Sequence, residues 1–224
     1  LPEGIDEAVA AALPNAVAGS AMALRFRAGM KPGETVLING ATGFTGKIAV
    51  QIAKPYGAKR IIVTGRNEQT LQALRALGAD EIISVQQDDE HFISRLKEIH
   101  NHIPIDIIID YLWGHTAELI LSSFRGKGSF THRVRFVSVG SVTGDKIQLS
   151  AENLRSVDVQ LSGSGLGSWT KDEVKLLFSE ILPEMFALAA DNKLKVETER
   201  VCLADVDKLW NMEAPDGKRL VVTM

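Results

Sequence analysis

A single cysteine, Cys202, stands in 224 residues. That excludes a disulfide framework and any cysteine-rich zinc site. Cys202 itself reads as a small buried hydrophobe. Net charge is nearly absent: 25 Lys and Arg face 28 Asp and Glu, leaving −3. Nothing in that balance marks a nucleic-acid or anionic-membrane surface, so neither is expected as a partner. No apolar run is read as reaching the roughly 20 residues of a membrane span. The histidines His91, His100, His102, His115 and His132 show no metal-ligand spacing. His100 and His102 are two apart and would point away from each other on a helix, so they read as surface residues. The chain opens on Leu1 with no Met and no signal-peptide pattern. Leu1 therefore reads as a cut point in a longer chain, and the cytoplasm is the expected compartment. What is present is ordinary globular material, 45% apolar and 24% charged, enough for one large domain or one and a half.

The order of elements is informative. Short apolar runs at Val36–Asn39, Arg60–Thr64, Glu81–Val85, Ile105–Asp110 and Arg135–Val139 predict strands, with a sixth near Val157–Ser162. Between them lie helical patterns: Thr45, Ile48, Ala49 and Ile52; Leu71, Leu74 and Leu77; Phe92, Leu96 and Ile99; Ala117, Ile120 and Leu121. Pro55 should end the first of these, because its ring clashes with the carbonyl of Gln51. Asn67 is the expected N-cap and Gly78 the C-terminal stop of the second. Alternation of this kind predicts an α/β fold with a doubly wound parallel sheet covered by helices on both faces. Residues 5–28 are Ala-rich and predicted helical. After residue 168 the alternation breaks. A long helix with a kink expected at Pro183 leads to a strand over Leu194–Val201, a short helix at Val206–Trp210 and a strand over Arg219–Thr223.

The chemical centre is the run Gly40-Ala41-Thr42-Gly43-Phe44-Thr45-Gly46, directly after a strand and opening a helix. Read as a dinucleotide loop, Ala41 takes the tight turn, Gly43 admits the pyrophosphate and Gly46 lets helix and strand pack closely. Backbone N–H groups from Ala41 through Thr42, Phe44 and Thr45 to Gly46 would face the phosphates, aided by the helix dipole. The bland alternative is a glycine-rich turn with no ligand. At the end of the second strand, Gly65-Arg66-Asn67 stands where an acidic residue would take the ribose hydroxyl of NAD. Gly65 leaves space there, and the Arg66 fork suits a 2′-phosphate, which points to NADPH. The alternative for Arg66 is a solvated charge ahead of a helix. The basic stretch Arg125, Lys127, Arg133 and Arg135 is expected at the sheet edge away from the crevice. The Gly-rich Ser162–Ser168 stretch reads as a linker or subunit contact, and Trp113, Trp169 and Trp210 as packing residues.

Gly33–Gly43, Gln51-Ile52-Ala53-Lys54, Gly57-Ala58-Lys59-Arg60, Leu77-Gly78-Ala79-Asp80 and Ser138-Val139-Gly140 together resemble the medium-chain dehydrogenase/reductase superfamily. Within it the chain is most similar to the zinc-independent quinone oxidoreductase branch. The resemblance implies a cofactor domain over 15–168, flanked by 1–14 and 169–224 as parts of an incomplete GroES-like catalytic domain. The C-terminal α+β tail would belong to the latter. It implies an NADPH-dependent oxidoreductase passing hydride to a quinone, enone or other carbonyl compound. Val139 and Gly140 would lie at the cofactor, and Asn15 beside the substrate. A homodimer joined through the edge strand near Val157–Ser162 is also implied. No catalytic acid or base is identified. Short-chain relatives that share the GATGFTG string need a tyrosine with a lysine four residues on. Tyr56 and Tyr111 are followed at that spacing by Arg60 and His115. Zinc-dependent relatives place a cysteine near Pro14-Asn15, where this chain has none. A zinc alcohol dehydrogenase and a non-enzymatic NADPH-sensing module stay open as alternatives.

Overall fold

A computed structural model describes residues 1–126, 131–209 and 217–224. Six parallel strands form one sheet: β1 (Thr35–Asn39), β2 (Arg60–Gly65), β3 (Glu81–Ser84), β4 (Ile107–Asp110), β5 (Val134–Ser138) and β6 (Val159–Gly163). Their order is β3-β2-β1-β4-β5-β6, the doubly wound arrangement, which reverses direction between β1 and β4. Every residue of β1 and β4 is buried, because helices cover both faces. One face carries α1 (Glu7–Met22), α2 (Phe44–Ala53) and α8 (Leu182–Ala190), packed on Ile38, Val63 and Ile109. The other carries α4 (Asp89–His102) and α5 (Gly114–Ser123), packed on Leu37, Ile62 and Ile108. The alternation of neighbouring residues between the two cores is the period-2 geometry of a strand.

Local signals set the helix ends. α2 stops at Ala53, two residues before Pro55. Asn67 Oδ1 accepts from Thr70 N at 2.8 Å and starts α3 (Glu68–Ala73). α3 runs on as a 3₁₀ turn to Leu77 and stops at Gly78, whose φ of 112° is the left-handed value that favours glycine. Asp6 caps α1, accepting from Ala8 N at 2.9 Å and Val9 N at 3.1 Å.

Several expectations need correction. Residues 7–27 form a continuous 21-residue helical stretch that is long and apolar enough, by length and composition, to cross a membrane. Here it is mostly buried against α2, as a core helix. Pro14 lies inside it. Next to Pro183 the long C-terminal helix departs from α geometry: a wider π turn at Leu177–Ile181 joins α7 (Lys171–Leu176) to α8, with Pro183 the second residue of α8. His100 is half-buried, not a surface residue. Its ring packs edge-on at 4.7 Å from Phe124, and Nδ1 accepts from Ile105 N at 3.1 Å. Burial lowers its pKa. Cys202 is exposed at the end of β7 (Thr198–Cys202). β7 pairs in parallel with β8 (Arg219–Thr223) as a separate two-stranded sheet, and α9 (Val206–Leu209) lies between them in sequence. Trp210 and Lys127 lie outside the described residues. Arg133 pairs with Asp158 just ahead of β5, while Arg135 lies within β5 and is no solvated loop residue, its largely buried side chain pairing with Glu34 and donating to the Ala28 carbonyl at 2.7 Å.

Candidate functional site

A crevice of about 620 Å³ opens above the C-terminal ends of the strands, across the β1–β4 reversal. Open α/β sheets bind ligands there. Its floor is built from the glycine loop. Gly40 takes the left-handed turn with φ 84°, and a Cβ there would lie 2.8 Å from Leu112 Cγ. The tight turn expected at Ala41 is therefore made one residue earlier. Ala41 is fully buried under the loop and does not line the crevice. A Cβ on Gly46 would sit 2.6 Å from Ala41 Cα and 2.5 Å from Gly40 O, so close helix-to-loop packing does require glycine. On Gly43 the nearest atom would be 3.8 Å away, leaving its crevice side open. No side chain caps the start of α2. Its first-turn N–H groups therefore meet the crevice with the positive end of the helix dipole.

Asn15, Thr42, Phe44, Thr45, Gly65, Arg66, Val139 and Gly140 also line this crevice. Asn67 does not; it is spent on capping α3. Gly65 does not leave empty space. A Cβ there would meet Thr42 Cγ2 at 2.4 Å, so the room is already filled by Thr42. Arg66 is exposed at the rim and makes no ion pair among the described residues.

Sequence reasoning missed three parts of the site. A buried polar ladder lies beneath the floor. Thr64 Oγ1 donates to Asn39 Oδ1 at 2.5 Å, and Asn39 Nδ2 donates to Asp110 Oδ1 at 2.7 Å. Asp110 also accepts from Leu112 N and Trp113 N. Burial pushes the Asp110 carboxyl pKa up, against the pull of these hydrogen bonds. The available signal was a polar residue closing two otherwise apolar strands. Second, Ser164, Gly165 and Leu166 line the crevice, so the Gly-rich stretch after β6 is a wall of the site and not a linker. Trp169 joins them, donating from Nε1 to Ser164 Oγ at 3.1 Å. Third, the C-terminal return reaches the glycine loop. A Cβ on Gly217 would lie 2.4 Å from Thr42 O, and the Arg219 guanidinium stands 4.8 Å over the Phe44 ring. Lys218 and Arg219 therefore bring positive charge to the same crevice.

Among the described residues no three His, Cys, Asp or Glu side chains gather as a metal-binding group. They do not furnish a zinc site. The glycine cradle, the uncapped helix start and the unpaired Arg66 do fit a phosphate-bearing dinucleotide.

Residues 45–182 match the family described as zinc-binding dehydrogenase. The chain is 28% identical over 229 residues to a probable NADPH-dependent quinone reductase of Emericella nidulans, covering 98% of this chain and 62% of that protein. It is 28% identical over 176 residues to the mitochondrial enoyl-[acyl-carrier-protein] reductase of Arabidopsis thaliana, covering 77% and 44% respectively. The structure of Escherichia coli quinone oxidoreductase complexed with NADPH superposes with a TM-score of 0.75 at 25% identity, over 99% of this chain and 67% of that one. The chain thus spans about half to two thirds of the length of these relatives. It belongs to the zinc-binding dehydrogenase family of the medium-chain dehydrogenase/reductase superfamily, on the quinone oxidoreductase-like branch.

Proposed function

We propose that this protein is part of an NADPH-dependent reductase that passes hydride to a quinone, an enone or another carbonyl compound. The observation that carries the reading is the crevice over the β1–β4 reversal. It has a glycine cradle in its floor and, at its rim, the Arg66 guanidinium, which makes no ion pair among the described residues. A nicotinamide held there supplies the hydride chemistry. The chain's own residues bind and orient. First-turn N–H groups of α2 take the pyrophosphate, without a competing side-chain cap. Arg66 takes the 2′-phosphate, and no carboxylate stands beside it in β2 to repel that charge. Lys218, paired with Glu199 at 3.6 Å, and Arg219, over the Phe44 ring, add charge beside the glycine loop. Asn15 is exposed in the crevice with no hydrogen bond among the described residues, so its amide is free for a substrate oxygen. The name of the fungal relative supports the quinone reading, and that of the plant relative, a reductase of an enoyl group, supports reduction of a conjugated double bond.

The proposal extends to a homodimer. β6 lies at one edge of the sheet, and Leu161 on it is 37% exposed. An uncovered edge is a template for pairing. Titration of NADPH and NADH into the protein by calorimetry, with NADPH turnover on a quinone and enone panel, tests the function. Failure to bind either nucleotide overturns it.

A further inference from the structure

The glycine loop, Gly65 and Arg66 occupy the β1–β2 side of the crevice. Beyond the reversal, over β4 and β5, side chains with polar groups are few. Tyr111 is the one that follows β4 directly, and it is only 8% exposed, so it shows the crevice little more than an edge. Its hydroxyl lies 3.0 Å from Ser20 Oγ and 3.4 Å from the Gly19 carbonyl. Ser20 Oγ in turn lies 3.3 Å from the Thr45 carbonyl. Each hydroxyl has one proton to give. The bonds therefore run either from Tyr111 through Ser20 to the Thr45 carbonyl, or from Ser20 through Tyr111 to the Gly19 carbonyl. In both arrangements the Tyr111–Ser20 bond ties the end of β4 to α1, against the first turn of α2. Burial raises the phenol pKa, so the proton stays on Tyr111 and is directed into the protein. Tyr111 is thus not aimed as an acid at the crevice.

What the chain of bonds holds in place is Gly19. A Cβ there would lie 3.3 Å from Thr45 Cγ2 and 3.6 Å from Val139 Cγ1. Glycine inside a helix is less favourable than alanine, so helix stability does not favour it. Its bare backbone lets α1 pack closely on Thr45 and Val139.

We infer that Tyr111 is a positioning residue for the nicotinamide half of the dinucleotide. Its hydroxyl, acting through Ser20, holds the Gly19 backbone at a set distance from Thr45 and Val139. That packing sets where the α1 wall of the crevice stands, beside which the ring and its ribose would lie. The inference rests on the nicotinamide reading above.

The test compares NADPH with adenosine 2′,5′-bisphosphate, which carries only the phosphorylated adenosine half. Both are titrated into the parent protein and into Tyr111→Phe, Ser20→Ala and Gly19→Ala, with thermal unfolding measured alongside. Losing one neutral hydrogen bond should weaken NADPH by about 2- to 10-fold in the first two variants. Gly19→Ala should weaken it as well, because the methyl presses on Thr45 Cγ2 and displaces the α1 wall. All three should bind the bisphosphate as the parent does. Equal losses for both ligands, or no loss for either, overturn the inference while leaving the cofactor reading intact. A parent that binds neither ligand overturns the cofactor reading and the inference with it.

Discussion

Gly46 and Gly43 stand three residues apart in one loop, yet alanine should do opposite things at the two. At Gly46 the new Cβ would sit 2.5 Å from Gly40 O, 2.6 Å from Ala41 Cα and 2.9 Å from Ala41 C. All three are backbone atoms, so no side chain can swing aside. Overpacking of this kind costs about 1–3 kcal/mol, and a clash with fixed backbone belongs at the upper end. Alanine recovers about 1 kcal/mol of helix propensity. The net is a loss of about 2 kcal/mol, and for a chain of this size that lowers Tm by about 4–8 °C. At Gly43 the nearest atom to a Cβ is Gly40 O at 3.8 Å, and φ −75° with ψ 165° suits any residue. The stability cost is that of a poorer N-cap, under about 1 kcal/mol. The methyl would instead project into the space proposed for the pyrophosphate, and NADPH affinity should fall at least tenfold. Thermal unfolding by circular dichroism and calorimetric titration of NADPH measure the two effects separately. A Gly46→Ala protein with the parent's Tm refutes the packing argument. A Gly43→Ala protein with the parent's NADPH affinity refutes the placement of the phosphates.

Arg66→Ala should weaken NADPH by about 10- to 150-fold, the worth of a charge-assisted hydrogen bond, and leave NADH unchanged; paired titrations decide it, and equal losses would remove Arg66 from the phosphate. Gly65→Ala should destabilise the fold, because its Cβ would lie 2.4 Å from Thr42 Cγ2. Thr42→Ala in the same chain should restore much of the loss, and a double-mutant cycle with additive Tm changes would contradict that contact. Asp110 has its pKa raised by burial above the ordinary 3.8. A raised carboxylate pKa favours folding below the unfolded value, and that contribution is lost as pH rises through the folded value. Asp110→Asn keeps an acceptor for Asn39 Nδ2, so its stability relative to the parent should climb as pH rises upward from 3.8; a pH-independent difference between the two in urea unfolding would count against it.

Strand and helix order is legible in the chain itself, because a strand buried on both faces must be apolar throughout. Ile107-Ile108-Ile109 can hardly be anything else. The same holds for Asn67 and Gly78, whose capping roles depend on backbone bonds a few residues away. The glycine loop is legible for a similar reason, since close approach and a left-handed turn restrict residue type locally. Even there the register slips by one. Gly40, not Ala41, makes the turn, and only the position of Leu112 reveals why glycine is needed.

The rest of the site is made by contacts between segments far apart in sequence, and no local pattern encodes those. Ser164 and Leu166 look like linker because glycine and serine mark flexible chain as readily as a crevice wall. Lys218 and Arg219 look like the end of a strand; their place beside Phe44 depends on the return of a tail more than 170 residues downstream. Tyr111, Ser20 and Thr45 belong to three elements that meet only when the sheet is assembled. Cys202 and His100 exchange their expected environments for the same reason. Exposure is a property of what packs against a residue, and composition does not carry it. Composition and periodicity by themselves determined a doubly wound sheet and the loop that opens it. Tertiary packing decided which side chains face the crevice, because that depends on contacts across distances the chain pattern does not record.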